Sequence, residues 1–207
     1  MDINTRIAQR LRELRSARGY SLEVLAERSG VSRSNISLIE RGQSSPTAVV
    51  LDRLAIGLSV ALASFFDDSD QATGGPAPSP LCRRGEQPVW QDPASGYARR
   101  RLSPSMPSAL QLVEVVFPAG ASVALDSAVH DADIHQQVWL LDGEMELTVG
   151  DTPWRLAKGD CLAMRLNQPI VFHNPGKKAA RYLVALTNLD SRAHRFASVT
   201  PQPRNPS

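Results

Sequence analysis

Residues 21–42 read SLEVLAERSGVSRSNISLIERG, and their punctuation decides the fold of the amino-terminal part of the chain. Ser21 is placed to cap a helix whose apolar residues Leu22, Leu25 and Ala26 recur at helical spacing. Gly30 supplies a left-handed turn residue, and Val31 is expected to pack under the corner. Ser32 caps a second helix whose buried stripe is Ile36 and Ile39. That stripe leaves Arg33, Ser34, Asn35 and Ser37 on or near the outer face. Side chains of these types hydrogen-bond base edges in a DNA major groove. A small residue at Ala26, a glycine at the bend and a branched residue at Ile36 suit two crossed helices, a helix-turn-helix. The competing reading is an ordinary helical hairpin with no nucleic-acid role.

The flanks extend the pattern. Ile3 to Arg18 reads as an amphipathic helix with Ile7, Leu11 and Leu14 inward, Arg6, Arg10, Arg12, Arg15 and Arg18 mostly outward, and Gly19 as its stop. Thr47 is expected to cap a further helix with Leu51, Leu54, Ala55 and Leu58 as its apolar face. A last short helix carries Leu62, Phe65 and Phe66, giving five helices within residues 1–66. Net charge is +3 over these residues and −1 over the rest, so the basic excess sits where DNA would be met.

The stretches RLRELRSARG, SLEVLAERSGVSRSNISLIERG and SPTAVVLDRLAIGLSV resemble the phage-repressor-like (Xre-type) helix-turn-helix family, over roughly Ile7 to Phe66. The resemblance implies a five-helix DNA-binding domain whose third helix, Ser32 to Arg41, enters the major groove. By position Arg33, Ser34 and Ser37 look like base readers. Arg10, Ser21 and Arg41 look like phosphate contacts near helix ends.

At 207 residues the chain has room for two modest domains. No apolar run is long enough to span a bilayer and no secretory leader is recognisable, so the expectation is a cytoplasmic protein without membrane partners. Cys82 and Cys161 are too few and too distant for a disulfide framework, neither has a CxxC partner, and Cys161 is expected to be a small buried hydrophobe. DDSDQATGGPAPSP, from Asp67, has no large apolar residue; a flexible linker is expected over 67–84. Residues 191–207 read as a polar tail.

From Leu110 the pattern changes to period two. LQLVEVVF alternates, and QQVWLLDGEMELTVGDTPWRL reads as three strands joined by Asp-Gly and Gly-Asp turns. Lys158-Gly159-Asp160 is another turn, followed by the strands CLAMRL, PIVFHN and ARYLVAL. Strands this short and evenly spaced point to a β-sandwich or small barrel, giving an α plus β chain of two domains.

WLLDGEMELTVGD, LAKGDCLAMRLNQPIVFHNPGKKAARYLVAL and the turn chemistry between them are similar to the cupin family, a double-stranded β-helix or jelly roll, over about Val113 to Leu186. The joined architecture resembles bacterial Xre-family regulators with a cupin-type sensor domain, here expected over 85–190. Metal-dependent cupins hold iron, manganese or zinc with three imidazoles and a carboxylate. The resemblance puts the first histidine on His130, but the second on Ala132, the glutamate on Gln136 and the last histidine on Ile170. No metal, other cofactor or catalytic residue is therefore expected. A rebuilt site of His130, His135 and His173 is the alternative, although period two sends His135 and Gln136 to opposite faces.

What remains is a cavity for a small-molecule effector, with His130, Gln136, Val138 and Met164 as candidate lining residues. Trp139 falls on the face opposite Gln136, where it would pack against another element or a partner subunit. Trp90, Tyr97 and Trp154 read as structural, and Arg99-Arg100-Arg101 either as an anion-attracting cluster or as a solvated strand. The reading is a DNA-binding transcriptional regulator, a repressor acting as a homodimer on a double-stranded operator. A metal-dependent cupin enzyme carrying a DNA-binding-like domain is the rival, and a barrel that only dimerises is a third possibility.

Overall fold

A computed structural model describes residues 2–66, 79–106, 108–126 and 134–188. The linker expected over 67–84 lies outside the described residues as far as 78, and so do His130 and the tail at 191–207.

Among the described residues four α-helices open the chain: α1 (Ile3–Ala17), α2 (Leu22–Ser29), α3 (Arg33–Glu40) and α4 (Ala48–Leu58). Each begins where a short polar side chain accepts a first-turn amide hydrogen: Asp2 from Asn4, Ser21 from Val24, Ser32 from Asn35 and Thr47 from Val50. Gly30 closes α2 at φ +67°, a backbone state that side-chain-bearing residues seldom adopt. Ile7, Leu11, Leu25, Ile36, Leu51, Leu54 and Leu58 are fully buried between the helices. Ala26 packs against the core from α2, and a close helix approach also occurs at a glycine of α4. A Cβ on Gly57 of α4 would stand 2.9 Å from Ser29 Cβ, so glycine is what lets α2 and α4 touch there.

The structure corrects the expected fifth helix. Leu62–Phe66 is a single 3-10 turn, with Ser64 N–H donating to Ala61 O at 2.9 Å. The adjacent rings Phe65 and Phe66 are both buried, and Phe66 lies 5.5 Å from Trp90 across the domain boundary.

Among its described residues the second domain contains ten strands: β1 (Val89–Gln91), β2 (Ala98–Arg101), β3 (Leu110–Phe117), β4 (Ser122–Leu125), β5 (Ile134–Asp142), β6 (Met145–Val149), β7 (Thr152–Leu156), β8 (Cys161–Arg165), β9 (Ile170–His173) and β10 (Ala180–Asn188). They form a six-stranded sheet in the order β1-β2-β3-β10-β5-β8 and a four-stranded sheet in the order β4-β9-β6-β7. Alternation sets the faces: along β5, Ile134, Gln136, Val138 and Leu140 are buried, while His135, Gln137 and Trp139 are exposed. The same rule overturns the expectation for Cys161. Met164 is the buried residue of β8, so Cys161 and Ala163 face outward and the thiol is exposed. Trp154, expected to be a packing residue, is also exposed, whereas Trp90 and Tyr97 are buried.

The two domains dock through polar contacts as well as rings. Asp92 Oδ1 accepts the N–H of Ala48 at the start of α4, at 2.9 Å, while its other oxygen accepts from Ser95. Asp52 Oδ2 accepts from Asp126 N at 2.7 Å, and Arg101 Nη1 donates to Phe66 O at 2.9 Å.

Candidate functional site

The outer edge of α3 starts at Ser32, whose hydroxyl is held as the helix cap. Arg33, Ser34 and Arg41 are exposed, while Asn35 and Ser37 are half-buried. Ile36 and Ile39 anchor the opposite side of the helix. The free amides of the first turn give this end a positive potential, which suits phosphate or a carbonyl-rich groove. Arg33 is paired with Glu23 of α2, and both side chains are well exposed. The Glu23 carboxyl is held below its usual range by its own backbone amide, then by the Ser21 hydroxyl and Arg33. An exposed pair of this kind contributes little to stability and exchanges readily for a stronger anion.

Ser21 is exposed at the start of α2, its oxygen accepting from Val24 N at 3.2 Å. Arg10 is engaged inside the domain. Its Nε donates to Ser64 O at 3.1 Å and its Nη1 meets Glu13 at 3.3 Å, tying α1 to the 3-10 turn.

A cavity of about 80 Å³ lies where the two inner sheet faces meet the helical domain. Its walls come from both domains: Ala55 and Leu62 cover one side, and Val115, Ile170, Val184 and Leu186 line the barrel side. Four polar side chains of the barrel reach it, Tyr97, Arg99, Gln136 and Tyr182. Burial pushes the Tyr97 hydroxyl up to about 12 and that of Tyr182 well above its ordinary value, so both stay neutral hydrogen-bond donors near neutral pH.

Of the candidate lining residues, Gln136 reaches the cavity. Met164 packs against it, its sulfur 3.9 Å from Gln136 Nε2, and Val138 is fully buried on the same face of β5. The alternation of β2 explains what the sequence reading left open in the arginine run. In register Arg99 pairs with Trp90 and Val115, both buried, and its guanidinium lies 4.5 Å from the Phe66 ring centre. Arg100 meets Glu114 at 3.5 Å, and Arg101 binds the Phe66 carbonyl. The signal for Arg99 was its register beside Tyr97 and Trp90, which only strand pairing reveals.

The described positions do not fit a metal. Gln136 and Ile170 face inward as a neutral amide and a hydrocarbon, while His135 is exposed on the other side of β5. His173 is half-buried with Nδ1 3.3 Å from Ala121 O. Among the described residues, no group of three or more histidine, cysteine or acidic side chains is placed to hold an ion. Among them, too, no helix is long and apolar enough to cross a membrane.

Comparison with known proteins gives two family matches, a helix-turn-helix domain over residues 6–63 and a cupin domain over residues 113–186. The HTH-type transcriptional regulator SutR of Escherichia coli K12 is 28% identical over 174 residues, 83% of this chain and 89% of that protein. The HTH-type transcriptional regulator y4dJ of Sinorhizobium fredii is 31% identical over 75 residues, 36% of this chain and 97% of that protein. A solved HTH_3 family transcriptional regulator from Vibrio cholerae shares the fold, with a TM-score of 0.68 and 23% identity over 89% of this chain and 96% of that one.

Proposed function

Because the chain belongs to the HTH-type transcriptional regulators and joins that domain to a cupin domain, we propose that it is an operator-binding repressor that acts as a homodimer and is governed by a small molecule in its barrel. In this reading residues 1–66 form the DNA-binding head, 67–84 join it to the sensor at 85–190, and 191–207 are a polar tail. The observation that carries it is the polar edge of α3, where Arg33, Ser34 and Arg41 stand exposed over a fully packed helix core. Asn35, Ser37 and the α2 cap Ser21 flank that edge. Arg10, spent on Ser64 and Glu13, supports the fold in this reading.

The direct test is sequence selection from random duplex by the purified full-length protein, followed by Arg33→Ala. That variant is expected to lose about 1–3 kcal/mol at the selected site and to relax base preference there. Equal loss on selected and random duplex would place Arg33 on phosphate instead.

One recognition helix buries little surface, so two heads about 34 Å apart on a pseudo-palindrome would bind more tightly than one. The outer face of the six-stranded sheet is the contact we favour. Trp139 is 48% exposed there, with Leu183 and Cys161 as its cross-strand neighbours, and Leu110 and Val116 are exposed on the same sheet. Trp139→Glu is expected to weaken self-association by about 2 kcal/mol or more, as for an aromatic at an interface centre. A solution mass by light scattering that does not move with this change would remove the sheet face from consideration.

A further inference from the structure

We propose that the interdomain cavity is a binding site for a small organic carboxylate with an apolar tail, anchored by Arg99 together with Tyr182 and Gln136 and closed over by the DNA-binding domain. The regulatory half of this statement rests on the repressor reading above; the binding half does not.

The barrel side of the cavity holds polar groups that the protein itself leaves unsatisfied. Tyr182 is only 3% exposed, yet among the described residues its hydroxyl has no hydrogen-bond partner. The Gln136 side chain is 8% exposed, and the one hydrogen-bond partner of its amide among the described residues is the Met164 sulfur, a weak acceptor. Among the described residues one of these groups has no protein partner and the other only a weak one, and a polar occupant of the chamber would complete both.

The third group supplies the sign of that occupant. Arg100 has Glu114 and Arg101 has a carbonyl, but among the described residues no carboxylate pairs with Arg99. Its guanidinium stacks on Phe66 and keeps its charge directed at the two tyrosines. Arg99 acts on both hydroxyls, hydrogen-bonding that of Tyr97 and opposing the upward push that burial gives each of them. Guanidinium, phenol and amide N–H groups are all donors, a set that matches a carboxylate. The remaining wall is aliphatic and aromatic, with Ile170, Phe172, Val184 and Leu186, which suits a short hydrocarbon tail.

Asp52 lines the same cavity from α4 and is the one anion there among the described residues. It already accepts from Asp126 N at 2.7 Å. A cationic ligand would seek this carboxylate, so an amine is the informative control. Because Ala55, Ala61 and Leu62 close the chamber, an occupant touches the helical domain and the barrel at once. A ligand that binds one docking of these domains better than another shifts the equilibrium between them by that difference.

The test uses the full-length protein and calorimetry with butyrate, valerate and hexanoate, each beside its amide and its amine. Saturable binding of the carboxylates, roughly tenfold tighter than the matched amides, is the expected result. Arg99→Gln should erase that preference. Tyr182→Phe, which keeps the ring stack with Phe172, should weaken binding severalfold without lowering the melting temperature of the unliganded protein. Amides that bind as well as acids, amines that bind better, or no binding across the series would each overturn the site. If acids bind but operator affinity stays constant, the regulatory half falls and the site stands. Failure of the protein to select any DNA would instead overturn the repressor reading and leave the carboxylate site intact.

Discussion

Asn174→Ala is expected to destabilise the barrel by about 3–4 kcal/mol, the largest effect of any single substitution considered for this chain. Asn174 is completely buried, and its amide serves as a hub. Nδ2 donates to the carbonyls of Phe117 and Pro118, both at 3.1 Å, and to Lys178 O at 2.9 Å, while Oδ1 accepts from Gly176 N at 2.9 Å. One side chain thus ties the β3–β4 turn to the β9–β10 loop. Alanine would remove all four bonds at once, the one to the Phe117 carbonyl in the buried interior and the other three in partly buried surroundings. Asn174→Asp should be no rescue, because a carboxylate would face the same three carbonyls. Chemical denaturation followed by barrel tryptophan fluorescence checks this, and a loss below about 1 kcal/mol would contradict it.

Glu40→Ala should cost the helical domain about 3 kcal/mol and lower operator affinity with it. Arg15 Nε and Nη2 grip the two Glu40 oxygens at 2.6 and 2.8 Å, and Nη1 donates to Tyr20 O at 2.8 Å. The side chains are 16% and 8% exposed, and the hydrogen bond to Glu40 raises the Arg15 guanidinium above its ordinary value. The pair clamps the end of α3 to α1, so losing the carboxylate strands a cation among packed helices and loosens the helix that carries Arg33 and Arg41. Replacing both partners by apolar residues of similar volume should be milder than removing Glu40 alone. A double-mutant cycle with coupling under about 1 kcal/mol would refute this account.

The local grammar of the chain was legible because each signal acts within a few residues. Ser21, Ser32 and Thr47 cap as read, and Gly30 takes the left-handed turn. Period two along QQVWLL places Gln136 inside and Trp139 outside. What escaped reading was set by distant partners. Gly57 owes its identity to Ser29 of α2, a partner far from it in sequence. Asp92 stands in the local stretch QDPASG, yet one of its oxygens serves α4 of the other domain. The run Arg99-Arg100-Arg101 carries one composition and three duties, which only the register of β2 between β1 and β3 separates. The expected fifth helix shortened to a 3-10 turn, with Phe66 buried against Trp90 of the other domain.

The chamber between the domains has a consequence for protein engineering. Regulators of this build invite chimeras, in which a foreign reading head is grafted to a given sensor to redirect it to new promoters. Here residues 52, 55, 61, 62 and 63, all from the helical part of the chain, line the chamber, so under the proposal above they form part of the ligand's surroundings. On that proposal a transplanted head would bring its own contribution to chemical selectivity, and the two parts would not exchange as independent modules.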